Sequence, residues 1–361
     1  MIDTTAELEH FLPALRQTSW VALDTEADSL HSYPEKLCLI QVSIPLREAL
    51  IDPLAAGLDL APLWEALRGK ELILHGGDYD LRLLHQGHGF VPDQVFDTLN
   101  AARLLGRREF GLHHLVKGFL GIELAKGSQK ANWSKRPLTP KMIRYALADA
   151  RYLKPLRDCL RQRLVECGRL EWHAQMCRQL IAHNTRPPTP PARPPWQIRG
   201  ASRLSPRGLA VLREVWRWRD REAVAANRPP FFVLDHDRLL RIAERAAVND
   251  GFVELIPKRY SSARRRALIR AVEAGMGVPE HRLPQLHRER GRRMSEAQKR
   301  RFEELRERRD QQAKRLGLDP TLIASKSTLS AVVLARDPRE HLLPWQADLL
   351  LEEQPRPRPP R

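Results

Sequence analysis

The sequence lacks three features that would place a protein in a class at once. No run of eighteen apolar residues occurs, which excludes a membrane-spanning helix. No GxxxxGK[ST] motif occurs, which excludes a P-loop ATPase or a helicase. The first segment, MIDTTAELEHFLPALR, is acidic and amphipathic, so we do not expect it to act as a signal peptide.

Cysteine is scarce and scattered. No two cysteines form a Cys-x-x-Cys pair, and the four stand at Cys38, Cys159, Cys167 and Cys177. Free thiols in a reducing cytoplasm are the simplest interpretation. A zinc site built from the last three cysteines and His173 is an alternative, although the spacing is poor for zinc.

Basic charge is abundant and unevenly distributed. The 361 residues carry a net charge of +17, and 42% of them are hydrophobic, which is enough for real cores. Residues 1–190 hold 24 Lys and Arg against 22 Asp and Glu, whereas residues 191–361 hold 37 against 22. The excess in the second half suits a polyanion, with nucleic acid the leading candidate. A compositional bias towards arginine is the competing explanation.

The first half alternates apolar strand-like runs with amphipathic helices, which predicts a mixed sheet flanked by helices. Six prolines within residues 186–195 cannot continue a helix and therefore end this domain. Beyond them helices dominate and form two related units. The sequence thus predicts an α/β domain at 1–185, a linker at 186–200, helical domains at 201–282 and 290–354, and a disordered tail at 355–361.

Four carboxylates come from three separate pieces of chain. Asp24 and Glu26 end an apolar run in WVALDTEADSL, and both project from one face because side chains alternate along a strand. Asp80 follows a second apolar run in LILHGGDYDLRLL. Asp149 comes one helical turn after Tyr145 in RYALADARYL, so these two share a helix face.

Carboxylates gathered without a basic partner repel each other unless cations lie between them. A pair of hard divalent cations is the usual solution, and such a pair performs phosphodiester chemistry. Tyr145 would then hydrogen-bond and orient the attacking water. Each acid alone is more often a turn residue, a helix cap or a solvated side chain, so the prediction rests on their combination. Asp78 competes with Asp80 for the third position and would otherwise cap the helix.

The motifs around these acids resemble those of ribonuclease D, a family of DEDD-type 3′→5′ exonucleases of the tyrosine subclass. The resemblance rests on VALDTEADSLHSYPEKLCLIQVS, LILHGGDYDLRLL and ANWSKRPLTPKMIRYALADARYL. The two helical units resemble HRDC domains, which are small nucleic-acid-binding modules. The resemblance implies a ribonuclease H-like fold, two Mg²⁺ or Mn²⁺ ions, a monomer, and trimming of RNA 3′ ends, including those of tRNA precursors.

The resemblance also implies the roles of the site residues. The four metal ligands would be Asp24, Glu26, Asp80 and Asp149. Tyr145 would position the nucleophilic water. The family's second motif places its acid directly before a leucine, which favours Asp80 over Asp78.

Two segments are candidates for binding RNA. Trp133 would stack on a base and Arg136 would hold a phosphate. Alternatively, Trp133 and Leu138 pack this loop onto the sheet. The run Arg264-Arg265-Arg266 has no acid within the next six residues, so we expect it to contact phosphates. We expect His75, His113 and His114 to be structural or close to the substrate.

Two other functions are compatible with the same residues. A DNA exonuclease of the same superfamily would use identical catalytic groups, and only dependence on the 2′-OH separates it from an RNA enzyme. A nucleic-acid-binding protein with a silent nuclease site would normally have lost an acid, whereas all four acids and the tyrosine are present.

Overall fold

The structure is a computed structural model that describes residues 1–125, 127–187, 193–286 and 294–352. The predicted tail at 355–361 lies outside these residues, as does part of the predicted linker. By the contacts between their residues, the described residues form two compact units. The first unit comprises residues 1–26, 37–186 and the segment from 294 onwards, and the second comprises residues 27–36 and 187–286.

A five-stranded mixed sheet organises the first unit, with the strand order β3-β2-β1-β4-β5. Its strands are β1 (Trp20–Ala27), β2 (Leu37–Ile44), β3 (Arg47–Ile51), β4 (Glu71–Leu74) and β5 (Gln94–Asp97). Strand β4 runs parallel to both β1 and β5, whereas β3 is antiparallel to β2. All residues of β2 are buried, as expected for a strand that is covered on both faces. The predicted mixed sheet is confirmed.

Helices flank this sheet, as the alternating pattern of the first half predicts. They are α1 (Thr5–Arg16), α2 (Ala61–Leu67), α3 (Asp78–His88), α4 (Thr98–Leu104), α5 (Leu112–Leu120), α6 (Pro140–Arg151), α7 (Leu153–Glu166) and α8 (Leu170–Asn184). Helix α6 ends at Arg151 and α7 begins at Leu153, so the helical segment is interrupted at Tyr152. Pro155 explains the interruption, because it has no N–H to donate to the carbonyl of Arg151.

The second unit is helical. Its helices are α9 (Pro206–Ala225), α10 (Pro230–Val233), α11 (His236–Ala247) and α12 (Ser262–Met276). Ser205 and Ser261 cap the starts of α9 and α12 by accepting hydrogen bonds from backbone N–H groups. Trp196, which falls in the predicted linker, is buried in the core of this unit beside Trp218.

The last helices belong to the first unit. They are α13 (Glu296–Leu316), α14 (Pro320–Ile323), α15 (Lys326–Leu334) and α16 (Pro344–Leu351). Leu305 and Trp345 are buried in one apolar core with Phe96 of β5 and Leu160 of α7. Glycine is required at Gly106, where a Cβ atom would come within 2.3 Å of the backbone oxygen of Gly317. The region predicted as a separate domain at 290–354 therefore shares its core with the sheet domain.

A short segment directly after β1 belongs to the second unit. Within residues 27–36, Tyr33 packs against the helical core. Its hydroxyl donates a hydrogen bond to Asp220 of α9 at 2.7 Å, and its backbone N–H donates to Asn227 at 3.3 Å. The strand that carries Asp24 and Glu26 thus continues into a segment that packs with the helices of the second unit.

Among the described residues, no helix combines the length and the apolar character that crossing a membrane requires.

Candidate active site

The end of β1 and one face of α6 bring three of the predicted acids together. Asp24 and Glu26 lie two positions apart on β1, so both side chains leave the same face of the sheet. One carboxylate oxygen from each, together with one from Asp149, lie within 4.8 Å of one another. All three residues are half-buried. Three acids from two distant segments therefore share one small volume.

Helix α6 presents Tyr145 and Asp149 one turn apart. The helix begins after Thr139, whose side chain accepts a hydrogen bond from the Met142 N–H. Met142, Ala146 and Ala150 on the same helix are buried and anchor it in the protein. The Tyr145 hydroxyl donates a hydrogen bond to the Asp149 carboxylate. Burial and the neighbouring carboxylates raise the pKa of Tyr145 far above its ordinary value, so this hydroxyl keeps its proton.

Asp80 lies beside this cluster without joining its closest group. It occupies the first turn of α3 and is 6% exposed. The Thr25 hydroxyl donates a hydrogen bond to one of its carboxylate oxygens at 2.5 Å. Burial raises the pKa of Asp80 to about 6, and the bond from Thr25 opposes this rise. The negative charge of Asp80 in turn helps to raise the pKa of Asp24, so the two carboxylates are close enough to interact.

Asp78, the rival of Asp80, faces another environment. It is exposed, and one of its oxygens accepts a hydrogen bond from Asn184 at 3.3 Å. It stands at the first position of α3 and makes no capping bond, because the cap residue is Gly77. The structure therefore favours Asp80 as the acid of this segment that belongs to the site.

Asp97 is a buried acid near the site that sequence reasoning missed. It ends β5 and caps α4 by accepting a hydrogen bond from the Asn100 N–H at 2.8 Å. Its other oxygen accepts from the Gly77 N–H at 2.8 Å, directly before α3. The only sequence signal was an acid between an apolar run and a helix, which is typical of an N-cap.

The acids repel one another. Burial, with added repulsion from Asp149 and Asp80, raises the pKa of Glu26 to about 9. Burial and the three neighbouring carboxylates raise the pKa of Asp24 well above its ordinary value. Burial raises the pKa of Asp149 to about 6. Such shifts are expected where carboxylates face each other without a cation.

The donor set fits a hard divalent cation. Every group of the cluster is a carboxylate, and oxygen donors are the ligands that Mg²⁺ and Mn²⁺ prefer. A divalent cation would also reverse the repulsion that raises these pKa values. Among the described residues, Asp24, Glu26 and Asp149 are the only group of three or more candidate ligands within this distance.

The alternative zinc site is not formed. His173 is buried, and its Nε2 contacts the backbone oxygen of Asp97 at 2.9 Å. Cys177 lies beside His173, but Cys159 and Cys167 do not join them within the described residues.

The three histidines noted in the sequence make local contacts. His75 Nδ1 lies 2.9 Å from the Thr98 hydroxyl, and burial lowers its pKa to about 4. The rings of His113 and His114 are 3.7 Å apart, and His114 lies 3.8 Å from Glu109. His75 is therefore a half-buried neutral side chain with a structural contact.

The loop before α6 favours the packing alternative. Trp133 is 1% exposed and leaves no ring face open to a base. Arg136 forms two hydrogen bonds of 2.5 Å to the carboxylate of Asp52. It also donates to the backbone oxygens of Cys38 at 2.8 Å and Trp133 at 2.7 Å. Because its donors are engaged inside the protein, Arg136 holds the loop on the sheet in this structure.

The arginine triplet begins α12 of the second unit. Arg264 pairs with Glu222 of α9 at 2.7 Å, although no acid is near it in sequence. Arg265 donates weakly to a backbone oxygen, at 3.4 Å. Arg266 is exposed and forms no ion pair with the described residues. Of the three, Arg266 is the one with a guanidinium available to a phosphate.

Comparison with known proteins gives this site a class. Residues 1–165 match the family described as 3′-5′ exonuclease, and residues 208–258 match the HRDC domain. The first match contains all four acids and Tyr145. The fold and the site together thus define a 3′→5′ exonuclease with an appended HRDC domain. A second HRDC domain at 290–354 remains a prediction.

Similar proteins narrow this class. A ribonuclease D of Gluconacetobacter diazotrophicus is 31% identical over 291 residues, which cover 79% of this chain and 74% of that protein. A ribonuclease D of Xanthomonas oryzae pv. oryzae is 30% identical over 357 residues, which cover 97% and 95%. The crystal structure of Escherichia coli RNase D, described as an exoribonuclease involved in structured RNA processing, is 27% identical, covers 99% of this chain and 93% of that chain, and has a TM-score of 0.72.

The chain belongs to the ribonuclease D family. It is accordingly an exoribonuclease, and the RNA reading is favoured over the DNA alternative.

Proposed function

We propose that the chain removes nucleotides one at a time from RNA 3′ ends and releases 5′-mononucleotides. The observation that carries this proposal is the group of three carboxylates within 4.8 Å of one another, which have raised pKa values and form no ion pair with a Lys or Arg of the described residues. Asp24, Glu26 and Asp149 would hold one divalent ion, Mg²⁺ or Mn²⁺. Asp80, whose charge helps to raise the pKa of Asp24, would help to hold a second.

The bound ions and Tyr145 would have different roles in the hydrolysis. Two bound divalent ions would lower the pKa of an attacking water and stabilise the charge that develops on the leaving 3′ oxygen. Tyr145 would position that water through its hydroxyl. Because the pKa of Tyr145 is raised, the hydroxyl stays protonated and acts as an orienting group, not as a base.

We propose structured RNAs with a free 3′ end, including tRNA precursors, as substrates. The support is the resemblance to RNase D of Escherichia coli, which is described as acting in structured RNA processing. The HRDC domain and the basic excess of the second half would supply contacts to the RNA backbone; of the predicted Arg264, Arg265 and Arg266, we propose Arg266 as the contact, because Arg264 pairs with Glu222. Trp133 and Arg136 would act indirectly, by holding the loop before α6.

We further propose a monomer in a reducing cytoplasm. Within the described residues the four cysteines form no disulfide, which agrees with that compartment.

The proposal is tested by time-resolved digestion of a tRNA precursor labelled at its 5′ end. The wild-type chain should shorten the RNA stepwise from the 3′ end, and a chelator or Asp24→Ala should stop it. Asp80→Ala should also stop it, whereas Asp78→Ala, the matched change two positions away, should leave most activity. Internal cuts, or activity that survives chelation, would contradict the mechanism.

A further inference from the structure

Thr25 lies between two metal-binding candidates but on the opposite face of their strand. The alternation of side chains along β1 turns it away from Asp24 and Glu26. It is nevertheless not a solvent-facing residue, since it is only 8% exposed. Its hydroxyl donates to the carboxylate of Asp80 at 2.5 Å. One short stretch of β1 therefore contacts the site from both of its faces.

Asp80 requires such a contact more than the other acids do. It lies on α3, whereas the other three acids lie on β1 and α6, and it is outside their group. A carboxylate can rotate about two side-chain torsions, and a ligand that is free to rotate binds an ion less tightly. The bond from Thr25 fixes one of the orientations that Asp80 could adopt.

Asp97 holds the backbone from which Asp80 projects. One of its oxygens accepts from the Gly77 N–H and the other from the Asn100 N–H, each at 2.8 Å. The preceding glycine, Gly76, has a φ of +67°, a conformation that other residues rarely adopt. Asp97 therefore links the turn before α3 to the start of α4. The point at which it holds this turn, Gly77, lies three residues before Asp80.

We propose that Thr25 and Asp97 are positioning residues for Asp80. Thr25 orients the carboxylate, and Asp97 fixes the start of the helix that carries it. The role proposed for both residues is to act through Asp80. The proposal rests on the proposed function, because it takes Asp80 to be a group that helps to hold a divalent ion.

The test uses Thr25→Val, which keeps the shape of the side chain but removes the hydroxyl, and Thr25→Ser as the matched control that restores it. Binding of Mn²⁺ alone to the full chain is measured without RNA, by the electron paramagnetic resonance of free Mn²⁺. We expect Thr25→Val to weaken one Mn²⁺ site about 10- to 100-fold, as is usual when a group that supports a metal ligand is lost. In the digestion assay kcat should fall with little change in KM, and Thr25→Ser should behave as wild type.

A double-mutant cycle tests whether the two residues act through Asp80. Asp97→Asn should also weaken Mn²⁺ binding, and thermal unfolding shows whether that variant folds. If both residues act through one carboxylate, their combined effect should be smaller than the product of the single effects. Should Asp97→Asn not fold, the Thr25 pair of variants decides the proposal alone.

The outcomes separate this inference from the proposed function. A wild-type chain that binds no Mn²⁺ would overturn both. A wild-type chain that binds Mn²⁺, with a Thr25→Val variant that binds it equally tightly, would overturn only the role of Thr25.

Discussion

In the first unit, the carboxylate of Asp52 and the three carboxylates of the candidate active site differ in the groups that surround them. Asp52 is almost completely buried and receives both of its hydrogen bonds of 2.5 Å from one guanidinium, that of Arg136. The carboxylates of Asp24, Glu26 and Asp149 are more exposed and lie against one another, and no ion pair joins them to a Lys or Arg of the described residues. Within its described residues, the first unit thus contains one carboxylate whose charge is balanced by a cation of the protein and three that have no such cation.

The difference teaches how to separate structural acids from functional ones. A paired carboxylate stabilises the fold with groups that the chain supplies itself. An unpaired cluster costs folding free energy and is retained because a ligand from solution completes it. The predictions below follow this contrast from the largest expected effect to the smallest.

Removing a charge from the unpaired set should abolish activity but not harm the fold. Asp149→Asn keeps the shape of the side chain and an oxygen that accepts the hydrogen bond from Tyr145. We expect the rate to fall at least about 1,000-fold, which corresponds to about 4 kcal/mol. In a chelator the variant should melt at a temperature equal to or higher than wild type, since one repelling charge is gone. A clear loss of thermal stability would show that Asp149 is structural and would break the contrast.

Removing the cation that pairs with Asp52 should harm the fold but not abolish activity. Arg136→Met leaves the buried charge of Asp52 without a partner, which typically costs 3–5 kcal/mol. Because Arg136 is about a quarter exposed, we expect a loss near the lower end, about 3 kcal/mol, in denaturant unfolding. The double variant Asp52→Asn with Arg136→Met should recover part of this loss. If the single variant is as stable as wild type but binds RNA weakly, Arg136 is instead the phosphate ligand that the sequence suggested.

The fold was more predictable from sequence than the contacts within it. Asp24 and Glu26 could be placed on one face because a strand has a period of two, and Tyr145 and Asp149 because a helix turn spans four residues. The pairing of Arg136 with Asp52 could not be predicted, since 84 positions separate the two and only the folded sheet brings them together. The same limit hid the contact between Thr25 and Asp80.

Apolar patterns were ambiguous in a similar way. The faces of α13 and α16 predict that these helices pack, but they do not specify against what. The structure places Leu305 and Trp345 in a core with β5 and α7, whereas the sequence had suggested a separate domain. Asp97 was overlooked because a single acid after a strand is usually only a cap, and here it is a cap with a second partner.

The repulsion among Asp24, Glu26 and Asp149 should lower the stability of the fold. Divalent ions should remove this loss of stability, by an amount that depends on pH. The pKa values of Asp149 and Glu26 are raised to about 6 and about 9, so their uncharged forms favour folding. This contribution is complete below pH 4 and is lost as the pH rises through 6 and then 9. The melting temperature in chelator should therefore fall over this range relative to the melting temperature in Mg²⁺. At 100 times its dissociation constant, one bound ion adds about 2.7 kcal/mol. A gap between the two curves that stays constant from pH 5 to 9 would contradict the assignment.

The contrast extends to cations in the second unit. Arg264 has Glu222 as its partner, whereas Arg266, two positions later, forms no ion pair with the described residues. Arg266→Ala should weaken RNA binding by less than about 1 kcal/mol and reduce the dependence on salt by about one phosphate contact. Arg264→Ala is the matched control. It should lower the melting temperature, because Arg264 pairs with Glu222, and should change the salt dependence of RNA binding less than Arg266→Ala does. Binding measured between 50 and 200 mM salt checks both, and an unchanged slope for Arg266→Ala would remove it from the RNA surface.

The segment at residues 27–36 has a consequence for how such a protein can be divided. The chain leaves the first unit after Glu26, returns at Leu37, leaves again after Arg186 and comes back for its last helices. No single cut yields the two units as intact pieces. A single recombination junction could therefore not exchange the helical module for another. Tyr33 would stay behind in the chain, and the new module would lack Asp220, its hydrogen-bond partner. Any exchange of the helical module would have to carry the segment at residues 27–36 with it.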